Sequence, residues 1–375
     1  IGGVTCANPG VDPCQAPFSV GPESVDSGKE WFLIPGFGYS TKLSDTSAFG
    51  LAVYGNGGMN THYRGGTATV LNPQNNTMTE FPGTFGAGTA GVDLTQLFIN
   101  ATYAWQASEN LDVGISGILA YQRFEATGLA NFQNISLDST ALSNEGYSTS
   151  TGFGLKFGVN YQASDALALA FSYQSKFSMG EFDEYAGLFA EQGAFDLPST
   201  YTVGFAWDTS ETSTLLLDYQ VINYTDVASI SNSVTNVFTC SDALNNTINA
   251  GNVPSPATGT GCLGGANGAG FGWDDMSVIK LGYEWASDDT TYRVGYSTGD
   301  QPIGSSEVNF NILAPGVVEN HITFGWTTKD ENNEEMTVFI MYAPETKVSG
   351  TSLFDQSQTI EIKMDQLEIG VSFTL

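Results

Sequence analysis

Apolar side chains recur at every second residue in run after run of this chain, and that period constrains the fold more than any other feature. In the last ten residues Leu367, Ile369, Val371, Phe373 and Leu375 share one strand face, while Glu368, Gly370, Ser372 and Thr374 share the other. No window approaches the roughly 18 consecutive apolar residues of a membrane-spanning helix, so any passage through a bilayer has to use strands. Alternation alone fits two folds. In a soluble sandwich the apolar face lines a core, whereas in a transmembrane barrel it meets lipid and the polar face lines a lumen.

The arrangement of the runs separates the two. Six hairpins follow one another from Trp31, with short polar turns at 42–46, 108–110, 163–165, 208–213, 287–289 and 329–334, and a thirteenth strand ends the chain. Tyr39, Trp105, Tyr161, Trp207, Trp285 and Trp326 each end an apolar face just before a short turn, as an aromatic girdle at one membrane interface requires. Short turns alternate with long connections at 55–93, 125–150, 178–198, 223–274, 298–320 and 343–365, the asymmetry of barrels that are short on the periplasmic side and long outside. The opposite strand faces are small or polar, as in Gly154, Lys156, Gly158 and Asn160. The fold class is therefore all-β: a transmembrane antiparallel up-and-down β-barrel over 31–375, preceded by an external loop segment over 1–30. Single-chain bacterial barrels have even strand numbers, so thirteen strands here predict a fourteen-stranded barrel whose first strand lies upstream of Ile1.

Charge narrows the partners. Forty acids against eleven bases give a formal charge of −29, which excludes nucleic acid as a partner, since phosphate binding needs clustered Lys and Arg. The acidity fits solubility or a saline habitat, and it also fits acidic external loops that bind divalent cations. The four cysteines fall as close pairs, Cys6 with Cys14 and Cys240 with Cys262, without zinc-site spacing or a nearby histidine. Three connectivities are open, and proximity favours two local disulfides in an oxidising compartment. The two histidines, His62 and His321, belong to no nucleophile or metal motif, so the chain is read as a non-enzyme without catalytic residues, resident metal or cofactor.

Several segments carry a resemblance: Ala52-Val-Tyr-Gly-Asn-Gly-Gly-Met-Asn-Thr61, Ala120-Tyr-Gln-Arg-Phe-Glu125, Ser172-Tyr-Gln-Ser-Lys176, Arg293-Val-Gly-Tyr296 with Gln301-Pro-Ile303, and Phe310-Asn-Ile-Leu-Ala-Pro-Gly316. With gaps from about Trp31 to the C-terminus, they resemble the outer-membrane long-chain fatty-acid transporter (FadL) family of fourteen-stranded barrels. The last residues also resemble the C-terminal signal read by the barrel-assembly machinery of Gram-negative bacteria. The resemblance implies a bacterial outer-membrane location, contact with outer-membrane lipid and lipopolysaccharide, and passive uptake of fatty acids or other hydrophobic compounds. Ligand would be captured between external loops and released sideways through a break in the barrel wall. That family carries an N-terminal hatch in the lumen, and neither hatch nor first strand is evident in this chain.

Candidate ligand residues follow from where apolar side chains sit outside the strands. The stretch from Glu184 to Gln192 predicts a short helix with Tyr185, Leu188 and Phe189 on one side, either a capture surface or a face packed on neighbouring loops. Phe310, Ile312 and Leu313 form a second apolar patch with the same two readings. Lys176 and Arg293 are the candidate partners for a ligand carboxylate, by lumen parity and expected placement toward the external strand ends. Paired lumen charges that hold the barrel's shape are the alternative. Two functions stay open: a transporter of hydrophobic compounds, and a general porin or loop-presenting surface barrel with a merely polar lumen.

Overall fold

A computed structural model describes residues 18–72, 77–332 and 334–374. Its main sheet follows the hairpin pattern strand for strand. In chain order the strands are β1 (Phe18–Val20), β2 (Gly36–Ser44), β3 (Ser47–Asn60), β4 (Thr67–Asn72), β5 (Thr77–Pro82), β6 (Gly91–Ser108), β7 (Leu111–Thr127), β8 (Ser148–Ser164) and β9 (Leu167–Gln174). They continue as β10 (Ser178–Met179), β11 (Ser199–Ser210), β12 (Ser213–Asn223), β13 (Met276–Ser287), β14 (Thr290–Gly299), β15 (Asn320–Lys329), β16 (Glu335–Thr351) and β17 (Thr359–Thr374). Thirteen of these pair antiparallel from β2 to β17 in chain order, and β10 pairs with β8 as a fourteenth member. The remaining three, β1, β4 and β5, form a small separate sheet.

Tight turns at 45–46, 109–110, 165–166, 211–212 and 288–289 join the strands at one end. The register slips by one residue just before four of them, at Lys42/Ser44, Gln106/Ser108, Gln162/Ser164 and Asp208/Ser210. A bulge of this kind increases strand twist and lets a short loop close the hairpin.

The face expected to meet lipid has none of the described residues packed over it. Leu367, Ile369, Val371 and Phe373 are 56–69% exposed, and Ile99, Leu119, Phe157, Phe171, Leu281, Val294 and Ile340 are exposed on the other strands. So continuous an apolar surface is stable only against an apolar medium. Near the short turns the girdle residues stack, Tyr103 on Trp105 and Trp285 on both Tyr283 and Tyr292.

The strands run further on the long-loop side than the apolar pattern indicates. β6 starts at Gly91, and β16 and β17 extend across much of the expected 343–365 connection. These extensions carry polar outward residues and cross-strand ion pairs, Lys347 with Glu361 (3.4 Å) and Glu345 with Lys363 (3.5 Å). Above the bilayer a strand no longer needs an apolar face, so the period fades while the hydrogen-bond ladder continues. At the other extreme β2 begins at Gly36 rather than Trp31, because Pro35 has no N–H to give a ladder.

Buried side chains concentrate in the loop layer. One cluster draws on the connections 61–90, 128–147, 175–198, 224–275 and 300–319 together with the upper, inward faces of β6, β7 and β17. The β1–β4–β5 sheet belongs to it, through Phe18 packed on Phe132 and Phe354. A second, smaller cluster lies lower on the inner wall: Phe98, Ile118, Ala120, Phe177, Met179 and Leu197. Cys240 and Cys262 form a disulfide within 224–275. The expected Cys6–Cys14 pair lies outside the described residues.

A loop-enclosed apolar cavity as the candidate functional site

Five long connections converge on one cavity. Phe85, Phe132, Leu188, Phe271 and Phe310 come from five different loops, and Val92 and Phe124 from the tops of β6 and β7. Aromatic contacts knit the wall: Phe85 to Phe132 at 5.4 Å between ring centroids, Phe132 to Phe310 at 5.9 Å, and Phe124 to Phe189 at 4.7 Å. Ser229 is the one polar side chain on the lining among the described residues, and its hydroxyl already donates to the Ala194 carbonyl at 2.5 Å. Among the described residues no charged side chain lines it. Space open to the centre of a water-sized molecule is ≈ 40 Å³, room for about three waters. A ring or an alkyl tail fits only when lining side chains swing aside.

Buried polar groups hold the loops at these positions. Asn311, fully buried, donates to the carbonyls of Phe271 (2.6 Å) and Glu307 (2.9 Å), and accepts from the Trp273 indole at 2.7 Å. The loop bearing Phe310 is thereby tied to the loop bearing Phe271. The Glu307 carboxylate accepts from the Val234 N–H (2.8 Å) and the Ser233 hydroxyl (2.9 Å). Asn131 donates to the Phe85 carbonyl at 2.7 Å, and Gly83 at φ 95° makes the preceding turn, where a Cβ would run into Gly88. Satisfied hydrogen bonds of this sort fix loop backbones that an apolar core alone leaves free to slide.

The residues singled out from sequence divide into three groups. Leu188, Phe189, Phe310 and Leu313 line the cavity, with Leu188 and Phe310 partly exposed at its edge. Tyr185 and Ile312 stand one layer back. Tyr185 is fully buried, meets Phe124 edge-on at 4.8 Å and donates to the Gly146 carbonyl at 2.6 Å. The Ile312 carbonyl accepts from the Tyr63 hydroxyl at 2.8 Å. Burial, reinforced by Asp26, pushes the Tyr63 phenol up to about 12, so it stays a donor at physiological pH.

The bases form the third group and do not reach the cavity. Lys176 pairs with Asp196 (2.9 Å) and donates to the Asp226 carbonyl (2.7 Å). Arg293 pairs with Glu284 and with the Thr327 hydroxyl, both at 2.6 Å. Its expected place toward the external end needs correction. β14 starts at Thr290, directly after the tight turn at 288–289, so Arg293 lies at the short-turn end, across the barrel from the loops. A residue only four positions past the 287–289 turn stands at the short-turn end whichever face of the strand it shows.

The helix expected over 184–192 does not form as one piece. A 3-10 turn spans Asp183–Tyr185 and a single separate turn spans Ala190–Gly193, inside which Glu191 and Gln192 take φ values of 56° and 63°. Their N–H groups bond to the carbonyls of Gly265 (2.9 Å) and Gly264 (3.1 Å), so a neighbouring loop claims the donors a helix would use. Tyr185, Leu188 and Phe189 still face one side.

Sequence reasoning missed Phe85, Phe124, Phe132 and Phe271. Phe124 carried a signal, because it is a large aromatic at lumen parity on a strand whose other inward residues are mostly small or polar. The others sit in aperiodic loops, where nothing in the sequence marks them.

Among the described residues no cluster of three or more His, Cys, Asp or Glu side chains is placed to hold a metal ion. A break in strand regularity lies close to the cavity. Between Gly55 and Gly58 β3 carries an extra residue relative to β6, with Gly57 at φ 76°. A Cβ on Gly58 would run into the Leu94 carbonyl.

No family model matches the chain, and no curated protein matches it by sequence. Solved structures do match. The toluene transporter TodX of P. putida is 16% identical, with a TM-score of 0.58 over 92% of this chain and 83% of that one. The Ralstonia pickettii toluene transporter TbuX is 14% identical, with a TM-score of 0.55 over 96% and 86%. A Pseudomonas aeruginosa FadL homologue is 12% identical, with a TM-score of 0.56 over 91% and 76%. Identities this low establish a shared fold, that of the FadL-type transmembrane β-barrel.

Proposed function

We propose that this chain is a bacterial outer-membrane channel for passive uptake of hydrophobic compounds rather than an enzyme. The observation that carries the reading is an apolar cavity, enclosed by five external loops, that no charged side chain lines among the described residues. The names of the proteins that share its fold, two toluene transporters among them, support the same class of cargo. In this reading Leu188, Phe189, Phe310 and Leu313 contact the ligand, and Tyr185 and Ile312 back them. Burying about 250 Å² of a small ring's surface contributes up to about 6 kcal/mol before the costs of opening and ordering the loops.

The cargo that suits this site is uncharged. A fatty-acid carboxylate would find no base on the lining among the described residues, and Lys176 is engaged by Asp196. A chain with a formal charge of −29 also repels anions at its mouth. The glycine-rich bulge at Gly55–Gly58 is the proposed exit, where cargo leaves the barrel sideways into the membrane.

Uptake of labelled toluene into proteoliposomes, run beside ion conductance in planar bilayers, tests the reading. Saturable toluene uptake with low conductance is expected. Free ion conductance without toluene uptake replaces this reading with the porin alternative.

A further inference from the structure

The inner face of β7 changes character one inward position below the cavity. Phe124 lines the cavity and Ala120 belongs to the lower cluster around Phe98 and Phe177. Between them stands Gln122, fully buried, and neither its Nε2 nor its Oε1 has a hydrogen-bond partner among the described residues. Its cross-strand neighbours are Gln96 on β6 and Ser150 on β8. Gln96 accepts from the Asn56 amide at 3.4 Å, and Ser150 donates to the Gly180 carbonyl at 2.6 Å. Asn56 belongs to the Gly55–Gly58 bulge. A polar row therefore runs across four strands from the bulge, between an apolar compartment above and another below, and within it Gln122 has both amide atoms buried and unpaired.

An unpaired buried polar atom costs about 1–3 kcal/mol, so a site that keeps two of them is matched to a group that supplies both a donor and an acceptor. A neutral hydroxyl does so, whereas a bare hydrocarbon supplies neither. A carboxylate supplies acceptors only, and the neighbouring Arg123 is no help to it. Arg123 lies on the other face of the strand, with its guanidinium 4.2 Å above the Tyr147 ring.

We propose that Gln122 is a specificity-determining residue that holds the hydroxyl of a neutral alcohol or phenol as it moves from the loop cavity toward the bulge. The inference rests on the transport reading and adds to it a substrate class, hydroxylated hydrophobic compounds. Sites built to hydrogen-bond a hydroxyl discriminate strongly against analogues that lack it.

Toluene and p-cresol differ by one hydroxyl on the same methylated ring, and their binding to the purified barrel in detergent, measured by equilibrium dialysis, tests the proposal. Wild type should favour p-cresol by about tenfold. Gln122→Met should abolish that preference and leave toluene binding within about twofold, with heat-modifiable gel mobility showing that the barrel is folded. Equal binding of the two ligands by wild type overturns the proposal, as does a preference that survives in Gln122→Met. If the variant does not fold, the wild-type ratio decides alone. Binding of neither ligand by wild type overturns the transport reading, and this proposal with it.

Discussion

Phe177 stacks on Phe98 inside the barrel, with ring centroids 5.3 Å apart and planes 24° from parallel. The pair exists because Phe177, between β9 and β10, bonds to Leu197 rather than to β8, and its ring fills the space that Gly154 leaves open. A Cβ on Gly154 would run into the Phe177 ring. Beneath the loop cavity the wall is thus packed, and Gln122 stands at the boundary between the two layers. Replacing Phe177 by Ala removes a fully buried ring, a change that costs about 3–5 kcal/mol in protein cores. The variant should lose its heat-modifiable gel mobility at a lower temperature than wild type, and an unchanged transition would contradict the packing.

Leu188 lines the loop cavity, whereas Arg293 lies at the short-turn end of β14. Leu188→Asp places a charge on an apolar lining and should cut toluene uptake by tenfold or more. Arg293→Gln breaks an exposed pair with Glu284 at the short-turn end and should leave uptake within twofold. Reversal of that order in the proteoliposome assay would move the ligand site away from the loops.

The bulge in β3 can be tested without touching the cavity. Gly58→Ala adds a Cβ against the Leu94 carbonyl and forces the strand to shift. Uptake should fall about tenfold while equilibrium binding of the same ligand stays within twofold. Equal loss of both would mean that the bulge shapes the cavity and is not an exit.

Two loop carboxylates predict acid sensitivity. Hydrogen bonds from Ser19 and then Ser357 hold the Asp355 carboxyl below its ordinary range, and a bond from Ser148 does the same for Glu184. A carboxyl with a depressed folded pKa contributes stability that is fully present above its unfolded value, about 4, and is lost as pH falls through the folded value. Proteolysis of the 352–358 loop should therefore be slow at pH 7 and accelerate below about pH 4. Asp355→Asn should remove most of the difference between the two pH values.

The Cys240–Cys262 disulfide closes a separation of 22 residues. On the chain-entropy account such a closure stabilises by about 3 kcal/mol. Reduction should speed cleavage within 224–275 and leave the strands protected. A free-thiol mass for the 240–262 segment under non-reducing conditions would refute the bond.

How much of this was legible depends on where each residue sits. Leu155, Phe157 and Val159 could be assigned an outward face from sequence because lipid admits only apolar side chains and the pleat admits only a period of two. The hairpin order followed from the short polar turns. Arg293 shows the limit of parity, which gives the face of a strand but not the height of a residue along it.

Thirteen strands, the face each shows to the bilayer and the alternation of short and long connections could be read from residue order alone, because these are local consequences of period and turn chemistry. Packing in three dimensions was needed to bring Phe85, Phe124, Leu188, Phe271 and Phe310 into one cavity, to pair Lys176 with Asp196, and to bury Gln122 without a partner among the described residues. Loops have no period. Their neighbours are chosen by packing and by bonds such as those of Asn311 and Glu307, which join segments far apart in the chain.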